Sequence, residues 1–309
     1  MKNTKSSLVL IFALLFQCSL QAGAQQTTML AGQVIDAETG EAVSYAAAEI
    51  ISQHLGAAAN AEGRLQFAIS ENMMDETVTF SALAYFSRQV AVKELLAKQP
   101  FKVELEKKTY TLPEFTIRAN SKEKVRLGNF PQGYRTSMSV TTVGKKTAVF
   151  MDNTKGSEGI IKSISYGIVK RDRLTKSHPR TPFRVRIFAV DSLTGGPGED
   201  LRTEYLVVKP RGAGWFTVDV SKYNIKAPKE GYFAAMEWVY SKEKFYYQII
   251  AGGQPQQVYG QSLGIIFGDF TPNTWHKYLG FEWYFDEHIG RAEDGFTNSL
   301  INSEVGCFK

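Results

Sequence analysis

Apolar and polar residues alternate with a period of two along much of this chain, and that period dictates strands. Thr77-Val78-Thr79-Phe80-Ser81-Ala82 and Phe101-Lys102-Val103-Glu104-Leu105-Glu106 alternate without a break, and Phe115-Thr116-Ile117-Arg118 repeats the pattern. Successive side chains on a strand point to opposite faces, so such runs bury one face and wet the other. Turn signals separate them: Glu38-Thr39-Gly40-Glu41 and Asn60-Ala61-Glu62-Gly63. Gly40 and Gly63 supply the positive φ that a tight turn demands. In this stretch only Lys93–Lys98 reads as helix, and then as a single turn. Short strands with frequent turns predict an all-β sandwich.

The first residues read as an export signal. Lys2 and Lys5 precede the uncharged apolar run Leu8–Phe16, and Ala22-Gly23-Ala24 supplies a small-x-small cleavage pattern. The run is too short for a stable span, which needs roughly 20 apolar residues. Cleavage after Ala24 is expected; a lipid anchor on Cys18 competes, but the large Phe16 and Gln17 before it disfavour that processing. Loss of residues 1–24 leaves 34 basic against 31 acidic residues. So mild a charge argues against a nucleic-acid binder, whose basic footprint is strong and clustered. Cys307 then stands alone, so stability must come from packing rather than disulfides. The length suggests about two domains, and no other apolar run is long enough to cross a membrane as a helix.

Gly32, Val34, Asp36, Thr39 and Gly40 follow the order G-x-V-x-D-x-x-T-G, and Gly63 and Phe67 complete it after a small-residue strand. This pattern resembles the carboxypeptidase regulatory-like domain, a transthyretin-like β-sandwich, over residues 29–119. Leu112-Pro113-Glu114-Phe115-Thr116-Ile117 is similar to the segment that follows such a domain in TonB-dependent outer-membrane receptors of the starch-utilisation type. Ala61-Glu62 stands where the family has Thr-Asp, and Ala84-Tyr85 where it often has Gly-Tyr. The resemblance implies a non-catalytic domain. The metallocarboxypeptidase for which the domain is named needs a His-x-x-Glu zinc motif, and none of His54, His178, His276 and His288 begins one.

Residues 120–135, charged and containing glycine and proline, read as a linker. Residues 136–309 offer eight or more candidate strands, which suit a jelly-roll-like sandwich. They are Ser139–Val143, Thr147–Met151, Ile160–Lys170, Phe183–Val190, Tyr205–Lys209, Trp215–Val220, Tyr232–Tyr240, Phe245–Ala251, Ser262–Gly268 and Leu279–Phe285. Phe183-Arg184-Val185-Arg186-Ile187 is the cleanest half-buried strand among them. GWFTVDVSKYNI, opening at Gly214, bears a weak resemblance to galactose-binding-like jelly rolls.

The candidate chemistry is thin. Gly260-Gln261-Ser262-Leu263-Gly264 matches the nucleophile elbow, which needs a helix after the serine, whereas the sequence there continues as strand. Glu237 and Glu282 each precede a tryptophan; facing carboxylates would do glycoside hydrolysis, and rim carboxylates paired to Lys or Arg are the plainer reading. Asp152 and Glu158 bracket an oxygen-rich loop without EF-hand spacing, which makes calcium the one cofactor to consider. His276 and His288 lack further ligands at zinc spacing. Arg171, Arg173, Arg184 and Arg186 belong to the one basic cluster. They read either as an anion patch for lipopolysaccharide phosphates or acidic glycans, or as a solvated loop and the wet face of one strand. Aromatic rings dock sugars as rigid platforms, and Trp215, Tyr246, Tyr247 and Trp275 fall near loop ends where they would be exposed. The expectation is an exported, non-enzymatic envelope protein, periplasmic or associated with the outer membrane. It would bind a glycan or an envelope partner through its second module. An adaptor docking by strand addition and, last, a hydrolase using Glu237 and Glu282 are the alternatives.

Overall fold

Alternation resolves into strands almost throughout. A computed structural model describes residues 27–108, 123–130, 136–154, 158–170, 177–202, 204–268, 271–287 and 296–307. The expected leader, the segment 112–117, Arg171, Arg173 and His288 lie outside the described residues.

The leading module comprises β1 (Thr27–Asp36), β2 (Ala47–Ile50), β3 (Leu55–Ala58), β4 (Arg64–Ser70), β5 (Thr77–Ser81), β6 (Arg88–Ala91), the short helix α1 (Val92–Ala97) and β7 (Phe101–Leu105). Its two sheets run β4-β1-β7 and β3-β2-β5-β6. Strand β1 is antiparallel to β4 and parallel to β7. Between the sheets pack Leu30, Val34, Phe67, Val78, Phe80 and Phe101, each contributing about 1.5–3 kcal/mol by leaving water. The polar partners in the alternation, Lys102 and Glu104, stay outside.

The sequence motif has a physical reading here. Asp36 is buried, and its Oδ1 accepts the amides of Glu38 and Thr39 at 2.9 and 3.0 Å, closing the turn. Tyr85 donates its hydroxyl to Asp36 Oδ2 at 2.9 Å, and Lys107 Nζ stands 3.1 Å from the same oxygen. The Thr39 amide leads the interactions that hold this carboxyl well below its ordinary range. Gly63 takes φ +68°, and a Cβ there would meet the Val34 carbonyl oxygen at 2.6 Å. Ala84, where the resembling family often has glycine, adopts φ +65°, a strained choice for a residue with a Cβ.

In the second part of the chain, β8 (Lys124–Gly128), β9 (Thr136–Val140), β10 (Lys146–Met151), β11 (Gly159–Val169), β12 (Phe183–Val190), β13 (Pro197–Asp200) and β14 (Val207–Val208) come first. They are followed by β15 (Gly214–Asp219), β16 (Lys226–Ala227), β17 (Tyr232–Trp238), β18 (Tyr246–Ala251), β19 (Gln254–Gly268), β20 (Thr274–Lys277), β21 (Tyr284–Phe285), β22 (Phe296–Ser299) and β23 (Ile301–Cys307). One sheet runs β13-β12-β17-β10-β20-β21, and the other is built on β18-β19-β11-β23-β8. Their facing sides bury Val149, Ile164, Phe183, Tyr232, Trp238 and Ile301 in a core separate from that of the leading module. The architecture is all-β, two sandwiches in sequence.

Four local expectations are corrected. Lys124–Gly128, inside the expected linker, is strand β8 paired with β23, because Leu127 reaches the core. The strand expected over Leu279–Phe285 is a turn followed by only Tyr284–Phe285, and Tyr205–Lys209 shortens to Val207–Val208. Strand β12 is not half-buried: Phe183 to Phe188 are buried on both faces, since the leading module covers the outer one. Among the described residues no helix is long and apolar enough to cross a membrane.

Candidate functional site

The turn between β20 and β21 builds the site. Leu279 inserts against the leading module, where a Cβ on Gly56 would come within 2.6 Å of the Leu279 Cβ, and its tip fills the space beside Gly144. Gly280 donates its amide to Glu49 Oε1 at 3.0 Å, and Lys277 Nζ stands 3.6 Å from the same oxygen. Phe281 stacks on His54 of the leading module, centroids 4.4 Å apart and planes within 10°. Tyr278 and Tyr284 lie parallel at 6.3 Å.

These rings line a groove of about 910 Å³ between the modules, with Leu55, Thr141, Thr142, Glu282 and Trp283 along its walls. Phe281 and Tyr284 are 38% and 40% exposed, and exposed apolar side chains grouped in a groove mark binding sites. Beneath them Lys145 Nζ donates to the Tyr278 hydroxyl at 2.7 Å and sits 4.4 Å from that ring's centroid. Burial pushes this ammonium down to about 8. His276 bonds Thr147 Oγ1 through Nδ1 at 3.0 Å and faces Asp286 Oδ2 through Nε2 at 3.2 Å. It fixes the base of β20 rather than reaching out toward a metal.

Beside the groove lies a smaller cleft of about 230 Å³, which shares Trp283 with it. A ladder of charges crosses its floor: Arg184 on β12 opposes Glu237 on β17, Glu237 opposes Lys146 on β10, and Lys146 opposes Lys277 on β20. Arg184 holds Glu237 at two points, Nε to Oε2 at 2.8 Å and Nη2 to Oε1 at 2.7 Å, and Arg186 Nη1 adds a third contact at 2.7 Å. Arg186 also binds Asp200 through Nε at 2.8 Å. Burial alone would raise Glu237, but Arg184, Lys146 and Arg186 outweigh it and hold the carboxyl well below its ordinary range.

Several expected site residues are therefore placed elsewhere. Arg184 and Arg186 are buried, 2% and 9% exposed; they pair with carboxylates under the leading module and do not form a surface patch. Glu237 and Glu282 line different cavities, Glu237 the cleft and Glu282 the groove. A carboxyl pinned ionised by three cations has no proton to give a leaving oxygen. Tyr247 is buried at 7%, packed with Ile249 and Val258. Trp275 is half-buried against Phe233 and Phe285, a packing residue. Trp215 is 43% exposed and borders a separate hollow of about 270 Å³ with Lys170 and Leu300. Tyr246 lines a third inter-module hollow with Arg64 and Lys102.

Asp152 accepts from Thr154 through both its amide (3.0 Å) and hydroxyl (2.6 Å), and Glu158 faces Lys229 at 3.4 Å; residues 155–157 between them lie outside the described residues. Among the described residues no three His, Cys, Asp or Glu side chains gather to hold a metal. Ser262 sits in the middle of β19, its hydroxyl 2.9 Å from that of Ser139, with no helix following it.

No family model matches the chain, and no curated protein does. Among solved structures, the cysteine protease and lectin-like domains of a surface-layer-associated protein of Clostridium difficile align at 10% identity and a TM-score of 0.37, covering 54% of this chain. The chain spans a third of that structure's length (33%).

Proposed function

We propose that this is an exported, non-catalytic envelope protein that binds a glycan in the groove between its two β modules. The observation that carries the reading is the exposed shelf of Phe281 and Tyr284, backed by His54, Tyr278 and Trp283. Sugar rings present apolar C–H faces to such planar surfaces, and aromatic side chains lose little entropy in receiving them. Both walls are anchored, one by the Leu279 turn and the other by the leading module, so the site is formed before ligand arrives, which lowers the cost of binding. We assign residues 29–119 to the carboxypeptidase regulatory-like type, supported by Asp36 closing its turn and by the confined Gly63. Its role here is to complete the groove. Export rests on the leader pattern of residues 1–24. Screening the full chain on a glycan array, beside Phe281→Ala and Tyr284→Ala, tests the reading. Retention of a glycan, lost in both variants, is expected; no retained glycan removes it.

One observation favours docking of an envelope protein instead. Strand β18 ends its sheet and carries Ile250, 70% exposed. An open edge with an apolar side chain accepts an added strand. Crosslinking through Ile250 to a partner, unaffected by sugars, would select this reading.

A further inference from the structure

The lining of the small cleft carries one more cationic side chain than anionic. Lys146 and Lys277 stand directly opposite each other on β10 and β20, where like charges are destabilising. Lys146 is 8% exposed. Each ammonium meets its carboxylate at ion-pair range but, among the described residues, none within hydrogen-bonding reach: Glu237 lies 3.7 Å from Lys146, and Glu49 lies 3.6 Å from Lys277. Nη1 of Arg184, also on the cleft wall, is buried without a hydrogen bond among the described residues. Five cationic side chains line the cavity against four carboxylates. A buried ion pair too long for a hydrogen bond leaves part of the desolvation cost unmet, and a well-placed anion offsets that cost.

We propose that this cleft receives the carboxylate of an acidic sugar, between Lys146 and Lys277, while the rest of the glycan lies in the aromatic groove. The inference rests on the glycan reading and narrows it to a uronic-acid-containing polymer. Trp283 borders both cavities, so a chain stacked along the groove has its next substituent at the mouth of the cleft. A single excess positive charge matches a monoanion such as a uronate. The volume of about 230 Å³ lies below that of pockets for drug-sized ligands, which suits one small group rather than a length of polymer. Burial, set against the charges of Glu237 and Glu49 and reinforced by those of Arg186 and Lys277, holds the Lys146 ammonium below its ordinary value. A carboxylate beside it would draw that value back up.

Isothermal titration of the full chain with oligogalacturonide, a neutral cello-oligosaccharide and inorganic phosphate tests this. The acidic oligomer should bind roughly tenfold tighter than the neutral one, the range of one hydrogen bond to a charged group. Lys277→Gln should erase that margin and leave the neutral oligomer unaffected, whereas Lys277→Arg should keep it, which separates recognition from misfolding. Phe281→Ala should weaken both sugars. Equal affinity for the two oligomers, unchanged in Lys277→Gln, overturns the inference and leaves the glycan reading standing. Binding of neither overturns both. Phosphate competing as well as galacturonate overturns the sugar-acid assignment in favour of a general oxyanion site.

Discussion

Arg184 and Glu237 face each other across β12 and β17 as a two-point pair, with both contacts under 3 Å and both residues buried. Such a pair is worth little against a well-packed apolar substitute, yet breaking it by removing one partner is expensive, because the survivor is left charged in a dry place. Glu237→Gln strands Arg184 and releases one hand of Arg186. It should cost about 3–5 kcal/mol of stability, read from urea unfolding, whereas Glu282→Gln, at an exposed position, should change stability by less than about 0.5 kcal/mol. The pH dependence follows from the sign. The folded carboxyl is depressed from 4.5, so the stability it contributes is complete above that unfolded value and is lost as pH falls below it. In Glu237→Gln this acid-side loss should shrink.

A slope of the same sign is expected on the alkaline side. Lys145 is lowered from 10.5 to about 8 by burial, so above pH 8 the unfolded chain binds more protons than the folded one. Stability should therefore rise from about pH 8 toward pH 10 and be flat for this group below 8. Tyr278, raised by burial, stays protonated across that window. Lys145→Met should remove the rise, measured as the unfolding midpoint in denaturant at pH 7.5 and 9.5.

Gly40 and Gly63 have nearly the same backbone, φ +71° and +68°, but different surroundings. Nothing lies within 4 Å of a Cβ on Gly40, while one on Gly63 collides with the Val34 carbonyl. Gly40→Ala should cost about 1 kcal/mol from the conformation alone. Gly63→Ala adds a displaced strand and should cost about 2 kcal/mol or more. Parallel thermal melts would check this.

Two aromatic truncations should separate binding from packing. Tyr284→Ala should lower glycan affinity roughly tenfold, a hot-spot loss of about 1–2 kcal/mol, with little change in melting temperature. Trp275→Ala empties the space between Phe233 and Phe285 and should lower stability by about 3 kcal/mol, moving affinity only through the folded fraction. Calorimetric melts beside glycan titrations distinguish them.

Local pattern was readable in this sequence, and coverage was not. Thr77–Ser81 and Phe101–Leu105 alternate in sequence as they do in burial, and the turn at Asp36 is announced by its own motif. Arg184 and Arg186 alternate with Val185 and Ile187 just as regularly, and the rule that polar means wet fails there because Tyr45 and Glu49, some 140 residues earlier in the chain, sit over that face. The groove was missed for a related reason. Tyr278, Phe281, Trp283 and Tyr284 look like one more aromatic strand until Gly280 turns the chain, at φ +80°. Lys124–Gly128 was hidden by charged neighbours, and only pairing with β23 reveals it.

Leu279 is gripped by Gly56 from one module and Gly144 from the other, and this has a mechanical meaning. A side chain caught between two glycines acts as a dowel: it sets the spacing of the two halves by bulk, a quantity that neither salt nor acidity alters. Trimming it to alanine would loosen the joint without touching a single charge, and the mouth that opens beside it would then change its gauge with temperature instead of holding one width.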